Sequence, residues 1–257
     1  MLANGLGAAV LVRIVAAVAC SGYRRQSASG IARRQLYEPG DRARATEDEA
    51  MSDMTPIRDP NKDALITPEN AVIAFIDYQP EQYAGVRSVG HDELLAHVTM
   101  LGRVATTFEL PIVLSTVYVK HGMQGTNAEL REALPGVAEI DRTSMNSWED
   151  ADFRAAVEKT GRRKLILAGL WTEVCVAFPA LDALREGYEV YFVADAIGGV
   201  SKVAHESAIE RMIQAGATPI TVLALACELQ RDWGRPGAER LRAVMREYFG
   251  KLRTLRG

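Results

Sequence analysis

Beyond residue 65 the chain alternates short apolar runs with segments in which apolar residues recur at helical spacing. The runs Ala71–Ile76, Ile112–Val117, Leu165–Ala168, Val190–Ala194 and Ile220–Ala224 are rich in aliphatic and β-branched side chains, the signature of strands buried on both faces. Between them, Asp92–Phe108, Trp148–Thr160, Val174–Glu186 and Ala204–Ala215 place apolar residues at i, i+3 and i+4 and read as amphipathic helices. The Gly161–Arg162–Arg163 break and the Glu186–Gly187 pair are C-terminal helix signals. Strands separated by helices of this length predict right-handed βαβ crossovers and a parallel sheet. The tail, Gly237 to Arg256, reads as one more helix with Leu241, Val244, Met245, Phe249 and Leu252 on one face, to be packed on the domain or on a neighbouring subunit.

The N-terminal part breaks this pattern. Leu6–Ala19 is apolar but interrupted by Arg13, and at about fourteen residues it is too short to span a bilayer. Arg13, Arg24, Arg25, Arg33 and Arg34 all precede the first acidic residue, Glu38, a composition similar to a mitochondrial transit peptide, and VAAVAC at 15–20 faintly resembles a lipoprotein cleavage site. MSDMTPIRDP, opened by Met51 and Met54, is a polar lead-in of the kind that begins a domain, so an over-extended start is the preferred reading. Residues 1–55 are therefore set apart as a poorly structured extension, and 56–257 as one domain.

Composition adds mainly exclusions. An apolar fraction of 48% and a charged fraction of 25% are ordinary for a globular enzyme, and a net charge of −3 gives no reason to expect a nucleic-acid partner. The three cysteines, at 20, 175 and 227, are widely spaced and form no CxxC pair, which argues against a disulfide framework or a thiolate zinc site and suits a cytoplasmic protein. His91, His97, His121 and His205 are dispersed, and Gly5-Leu6-Gly7 follows no strand.

The chemistry concentrates in KLILAGLWTEVC, residues 164–175. A strand ending at Gly169 and a helix running on from Val174 would put Cys175 at a strand-to-helix elbow, where the positive field of a helix N-terminus favours thiolate. A free cysteine there also reads as a small buried hydrophobe. Asp77 ends the first strand and is followed by Tyr78, Gln79 and Pro80; it could meet the thiol if the two strands are neighbours, or simply cap the next segment. Glu173 could cap the helix start or face the pocket, and Cys227 reads as structural and packed.

Asp77 with Gln79, Arg142 with Asn146 and Trp148, and Gly169-Leu170-Trp171-Thr172-Glu173-Val174-Cys175-Val176 together resemble the isochorismatase-like cysteine hydrolases, and within them the YcaC-like branch. The similarity runs from about Leu65 to about Trp233 and includes CELQRDW at 227–233. It implies a three-layer α/β/α fold with a doubly wound, mainly parallel sheet. It further implies Asp77 as general base and Cys175 as nucleophile, with Arg142 where most of the family has lysine. An arginine stays charged and offers a planar fork of donors, so it can orient Asp77 or hold an anion but cannot serve as an acid.

The resemblance also implies a cis Leu170–Trp171 bond, an oxyanion hole from the N–H groups of Trp171 and Cys175, and substrate contacts from Gln79, Asn146, Trp171 and Glu173. Metal-dependent relatives carry an Asp-x-His pair and a further His after the second strand. Here that region reads STVYVKHG, so neither metal nor cofactor is expected and His121 reads as a loop residue. The implied function is hydrolysis of a C–N bond in a small amide through a thioester. The helix field and a nearby Arg142, with Cys175 in an open pocket and Cys227 packed, lead to the further expectation of a partly ionised Cys175 that alkylates before Cys227. Two alternatives stand beside it: a catalytically impaired small-molecule binding or scaffold protein of the same fold, and an isochorismatase-type vinyl ether hydrolase that needs no cysteine. A nucleotide-binding domain is disfavoured, since Asp77-Tyr78-Gln79-Pro80 stands where a glycine-rich phosphate loop would follow the first strand. The expected partners are a small substrate and further copies of the chain, the latter because the tail helix and CELQRDW are more apolar than a lone domain requires, with no membrane contact.

Overall fold

Strands and helices alternate through residues 56–257, which are those the computed structural model describes. The expectations placed on residues 1–55, and the domain boundary after them, lie outside the described residues. In chain order the elements are β1 (Ala71–Ile76), α1 (Pro80–Gly85), α2 (His91–Thr107), β2 (Ile112–Val117), α3 (Ala128–Ala133), β3 (Glu139–Arg142), α4 (Ala151–Glu158), β4 (Lys164–Gly169), α5 (Ala177–Arg185), β5 (Glu189–Val193), α6 (Lys202–Ala215), β6 (Thr218–Ile220), α7 (Val222–Gln230) and α8 (Ala238–Arg256). The sheet order is β3-β2-β1-β4-β5-β6 and every pairing is parallel.

β1 and β4 lie side by side at the centre, Ile76 opposite Gly169, although the chain first builds outward through β2 and β3 and then crosses back. Their carboxyl ends therefore form the point where the winding direction reverses, the place where open α/β sheets leave a crevice.

The continuous apolar runs have a direct explanation. All six residues of β1 and all six of β4 are buried, because helices cover both faces. Alternate side chains go to opposite sides. Ile73, Phe75, Ile166 and Ala168 enter a core with Leu94, Leu101 and Val104 of α2 and with α7 and α8. Val72, Ala74, Ile76, Leu165 and Leu167 enter the other, with Phe153 and Val157 of α4, Ala180 and Ala183 of α5, and Met212 of α6. The architecture is the three-layer α/β/α sandwich expected.

Several local expectations need correction. The strand expected over Ile220–Ala224 stops at Ile220: the Thr221 side chain accepts the Ala224 N–H at 3.3 Å and starts α7 instead. The sequence pattern also misses β3, an edge strand whose residues Glu139-Ile140-Asp141-Arg142 bury only the last. The helix expected from Trp148 is a 3₁₀ turn at Ser147–Glu149, and α4 begins only after Asp150, whose carboxylate accepts the Phe153 N–H at 2.9 Å. The tail helix α8 buries Leu241, Met245, Tyr248 and Leu252 in its own domain, so this face is already occupied. Each such side chain contributes about 1.5–3 kcal/mol. Among the described residues no helix is long and apolar enough to cross a membrane.

Gly169 makes the central contact possible. A Cβ at this position would stand 2.8 Å from the Ile76 carbonyl oxygen and 3.0 Å from the Ile76 Cβ, both fixed by the β1–β4 pairing. Gly169→Ala is expected to cost about 1–3 kcal/mol through overpacking. Urea unfolding would show it as a lowered midpoint at unchanged slope, and an unchanged midpoint would contradict it.

Candidate active site

Three side chains meet at the carboxyl ends of the central strands. Asp77 follows β1 directly, and its N–H donates to Ser115 O of β2 at 2.9 Å. Its φ is 57°, a left-handed conformation that costs a non-glycine residue about 1–2 kcal/mol and so needs its surroundings to hold it. Arg142 is the last residue of β3, and its Nη2 donates to Asp77 Oδ2 at 2.6 Å. Both side chains are 0% exposed. The second arm of the guanidinium, Nη1, donates to the Ser144 carbonyl, while Nε is buried without a partner.

Cys175 sits not in the first turn of α5 but in the preceding wide turn of π type, Thr172–Val176. Its thiol lies close enough to Asp77 for the carboxylate charge to act on it, and Asp77 Oδ1 is buried without a hydrogen-bond partner of its own. The Leu170–Trp171 peptide bond is cis, as the resemblance implied. The Cys175 N–H donates to Trp171 O at 2.9 Å, so it would have to leave that bond to serve an oxyanion.

The electrostatics differ from the sequence expectation. Burial pushes the Cys175 thiol well up, the neighbouring Asp77 charge adds to this, and Arg142 and the Trp171 N–H oppose it without prevailing. The resting residue is a thiol, not the partial thiolate anticipated from a helix N-terminus. Burial likewise raises Asp77, with the Arg142 charge acting against it.

Exposure is also inverted. Cys175 is buried and Cys227 is exposed, the reverse of the packing anticipated. Iodoacetamide at neutral pH is accordingly expected to label Cys227 before Cys175 in peptide mapping; earlier labelling of Cys175 would show the site to be more open than its burial indicates. The order reports access and resting ionisation, since a thiol beside an ionised base can lose its proton during attack.

The four residues considered for substrate contact are largely committed to the protein. Gln79 Nε2 donates to Val117 O at 3.0 Å and to Gln124 O at 2.7 Å, and its Oε1 accepts the Val117 N–H at 2.8 Å. That amide ties the end of β1 to the segment after β2 and has little left for a ligand. Asn146 accepts the Trp148 N–H at 3.0 Å and donates to Asp182 Oδ2 at 2.7 Å. Glu173 Oε1 accepts the Val200 N–H at 3.0 Å, a tie to the segment after β5 that neither sequence reading anticipated. Trp171, half-buried, donates its indole N–H to Gln82 O at 2.9 Å. Thr172 and His205 were not singled out from sequence, yet Thr172 Oγ1 lies 2.8 Å from His205 Nδ1. Among the described residues no group of three or more His, Cys, Asp or Glu is placed to hold a metal ion.

Comparison with known proteins places the chain in a family. The isochorismatase domain family matches residues 71–223, a span that contains Asp77, Arg142 and Cys175. The probable hydrolase YcaC of Escherichia coli strain K12 is 37% identical over 187 residues, 72% of this chain and 89% of its own length. Among solved structures, YcaC from Pseudomonas aeruginosa with hexane-2,5-diol and covalent acrylamide is 33% identical at a TM-score of 0.68, over 76% of this chain and 98% of that one. The E. coli YcaC gene product, an octameric hydrolase of unknown specificity, is 35% identical at a TM-score of 0.68, over 75% and 97% of the two chains. The chain belongs to the isochorismatase family, on its YcaC-like branch.

Proposed function

We propose that this protein is a cysteine-dependent hydrolase of a C–N bond in a small amide, working through a thioester on Cys175. The observation that carries the reading is the buried Arg142–Asp77 pair at the winding reversal of the sheet, with the buried Cys175 thiol near enough to feel the Asp77 charge. With the thiol protonated at rest, Asp77 takes its proton as sulfur attacks the carbonyl carbon, and the Trp171 N–H supports the developing oxyanion. Collapse breaks the C–N bond, and the amine leaves with the proton held on Asp77. Asp77 then deprotonates water for attack on the thioester, which releases the acid and restores the thiol. Arg142 keeps Asp77 oriented and ionised and transfers no proton. No step calls for a metal or cofactor.

Burial restricts the substrate to something small, because Asp77 and Arg142 are closed off and the thiol residue is only 8% exposed. The covalent acrylamide carried by the P. aeruginosa relative is a molecule of that size and class. A screen of small primary amides and nitriles tests the reading, with turnover expected from the wild type and none from Cys175→Ala. Equal turnover of a vinyl ether by both would favour isochorismatase-type chemistry. A Cys175 inert to every electrophile, with no turnover, would favour a binding or scaffold role.

Assembly into a homo-oligomer is also proposed. The α8 face no longer supports it, being used internally; the support is the octameric E. coli relative. Light scattering at micromolar concentration should give a mass several times that of one chain, and a monomer would contradict it.

A further inference from the structure

The turn that carries Cys175 is weakly determined by its own backbone. The N–H groups of Val174, Cys175 and Val176 all converge on one acceptor, Trp171 O, at 3.1, 2.9 and 3.4 Å. The Ala177 N–H closes the turn onto Thr172 O and Val174 O, and further ties come from the segment that joins β5 to α6. Thr172, fully buried, opens the turn. Its N–H donates to Gly198 O at 3.0 Å, and its Oγ1 meets Nδ1 of His205, in the first turn of α6, at 2.8 Å. Glu173 adds the bond to the Val200 N–H.

Gly199 lets this segment close on the turn: a Cβ there would stand 2.5 Å from Glu173 Oε2 and 3.0 Å from the His205 Cβ. On the far side, Gly199 O accepts the Arg87 N–H at 2.9 Å and the Gly199 N–H donates to Ser88 Oγ at 2.9 Å, so the segment is itself anchored.

We infer that His205 is a positioning residue for the nucleophile, its Nδ1 acting through Thr172 Oγ1 to hold the turn that sets Cys175 against Asp77. The inference rests on Cys175 being the nucleophile, but it assigns a function to a side chain that does not touch the catalytic trio. A hydroxyl left unpaired at a fully buried site costs about 1–3 kcal/mol, enough to turn the segment toward another partner. Small displacements of a reacting atom are costly in rate. Burial lowers the His205 pKa, with the charges of Glu173 and Glu206 opposing, so the ring is mainly neutral at neutral pH and one of its nitrogens is an acceptor.

The test uses full-length protein and acrylamide as the probe, with the Cys175 adduct quantified by peptide mapping against time. Asparagine places a polar atom where Nδ1 sits, whereas glutamine reaches the Nε2 position. His205→Asn and Thr172→Ser should keep the labelling rate within about threefold of wild type, while His205→Gln and Thr172→Val should slow it about tenfold or more. The His205 ring ¹⁵N resonances should move in Thr172→Val, a change that general loosening of the fold would not produce. If His205→Gln fails to fold, Thr172→Val against Thr172→Ser decides. Wild-type rates in both His205→Gln and Thr172→Val would overturn this inference alone. A wild-type Cys175 that takes no acrylamide while Cys227 does would overturn the nucleophile reading, and this inference with it.

Discussion

Arg142→Ala is expected to destabilise the protein by about 3–5 kcal/mol, the cost of leaving one member of a buried ion pair without the other. The Arg142–Asp77 contact is 2.6 Å long and both side chains are shut off from solvent, so removing the guanidinium leaves the carboxylate without its buried partner. The truncated site has one inexpensive response, which is to protonate Asp77. Burial already raises that carboxyl, and Arg142 is what restrains it. The sign follows: with the arginine gone the Asp77 pKa rises further, and the ionised base is lost across a wider stretch of pH above 3.8, its ordinary value. Activity should fall together with stability, and the acid limb of kcat/KM should move to higher pH. Arg142→Lys keeps a charge but not the fork that reaches Asp77 and the Ser144 carbonyl together, so it should lie between alanine and wild type. Chemical unfolding and a pH–rate profile check both parts; wild-type stability for Arg142→Ala would mean that the pair is not buried as described.

Asp77→Asn should lower kcat/KM by about 10²–10⁴-fold, the usual worth of a positioned general base. The thiol is held protonated mainly by burial, so removing the carboxylate charge lowers its pKa only in part. What is lost is the proton acceptor. The remaining activity should therefore increase with pH toward thiol ionisation and show no acid limb from a carboxylate. A rate near wild type with the limb intact would remove Asp77 from the base role.

β1 and β2 were legible in the sequence to their exact bounds because their runs are rich in aliphatic and β-branched residues, a pattern that survives without knowledge of neighbours. β3 was not, since an edge strand with half-buried Glu139 and Asp141 carries no such run. Ile220–Ala224 misled because an apolar run of five fits a strand or the start of a buried helix equally, and Thr221 decided it by capping. The elbow at Cys175 was visible in the run from Lys164 to Gly169 and in the helix after it. The thiol's protonation was not, because it depends on how deeply the residue is buried and on a carboxylate that sequence places far away. Gln79 and Asn146 belong to the family pattern, yet only the fold shows that their amides hold loops together. The Thr172–His205 bond joins residues 33 positions apart on different elements and had no sequence signal at all.

A covalent bond to Cys175 is the defining step of the proposed reaction, and the most direct measurement of it is rapid quenching of a turning-over amide, followed by intact-mass analysis and peptide mapping. The predicted result is a mass increase equal to the acyl group, located on Cys175 and absent from Cys175→Ala, which also fails to turn over. Undiminished turnover by Cys175→Ala, or an acyl group found on another residue, would contradict it.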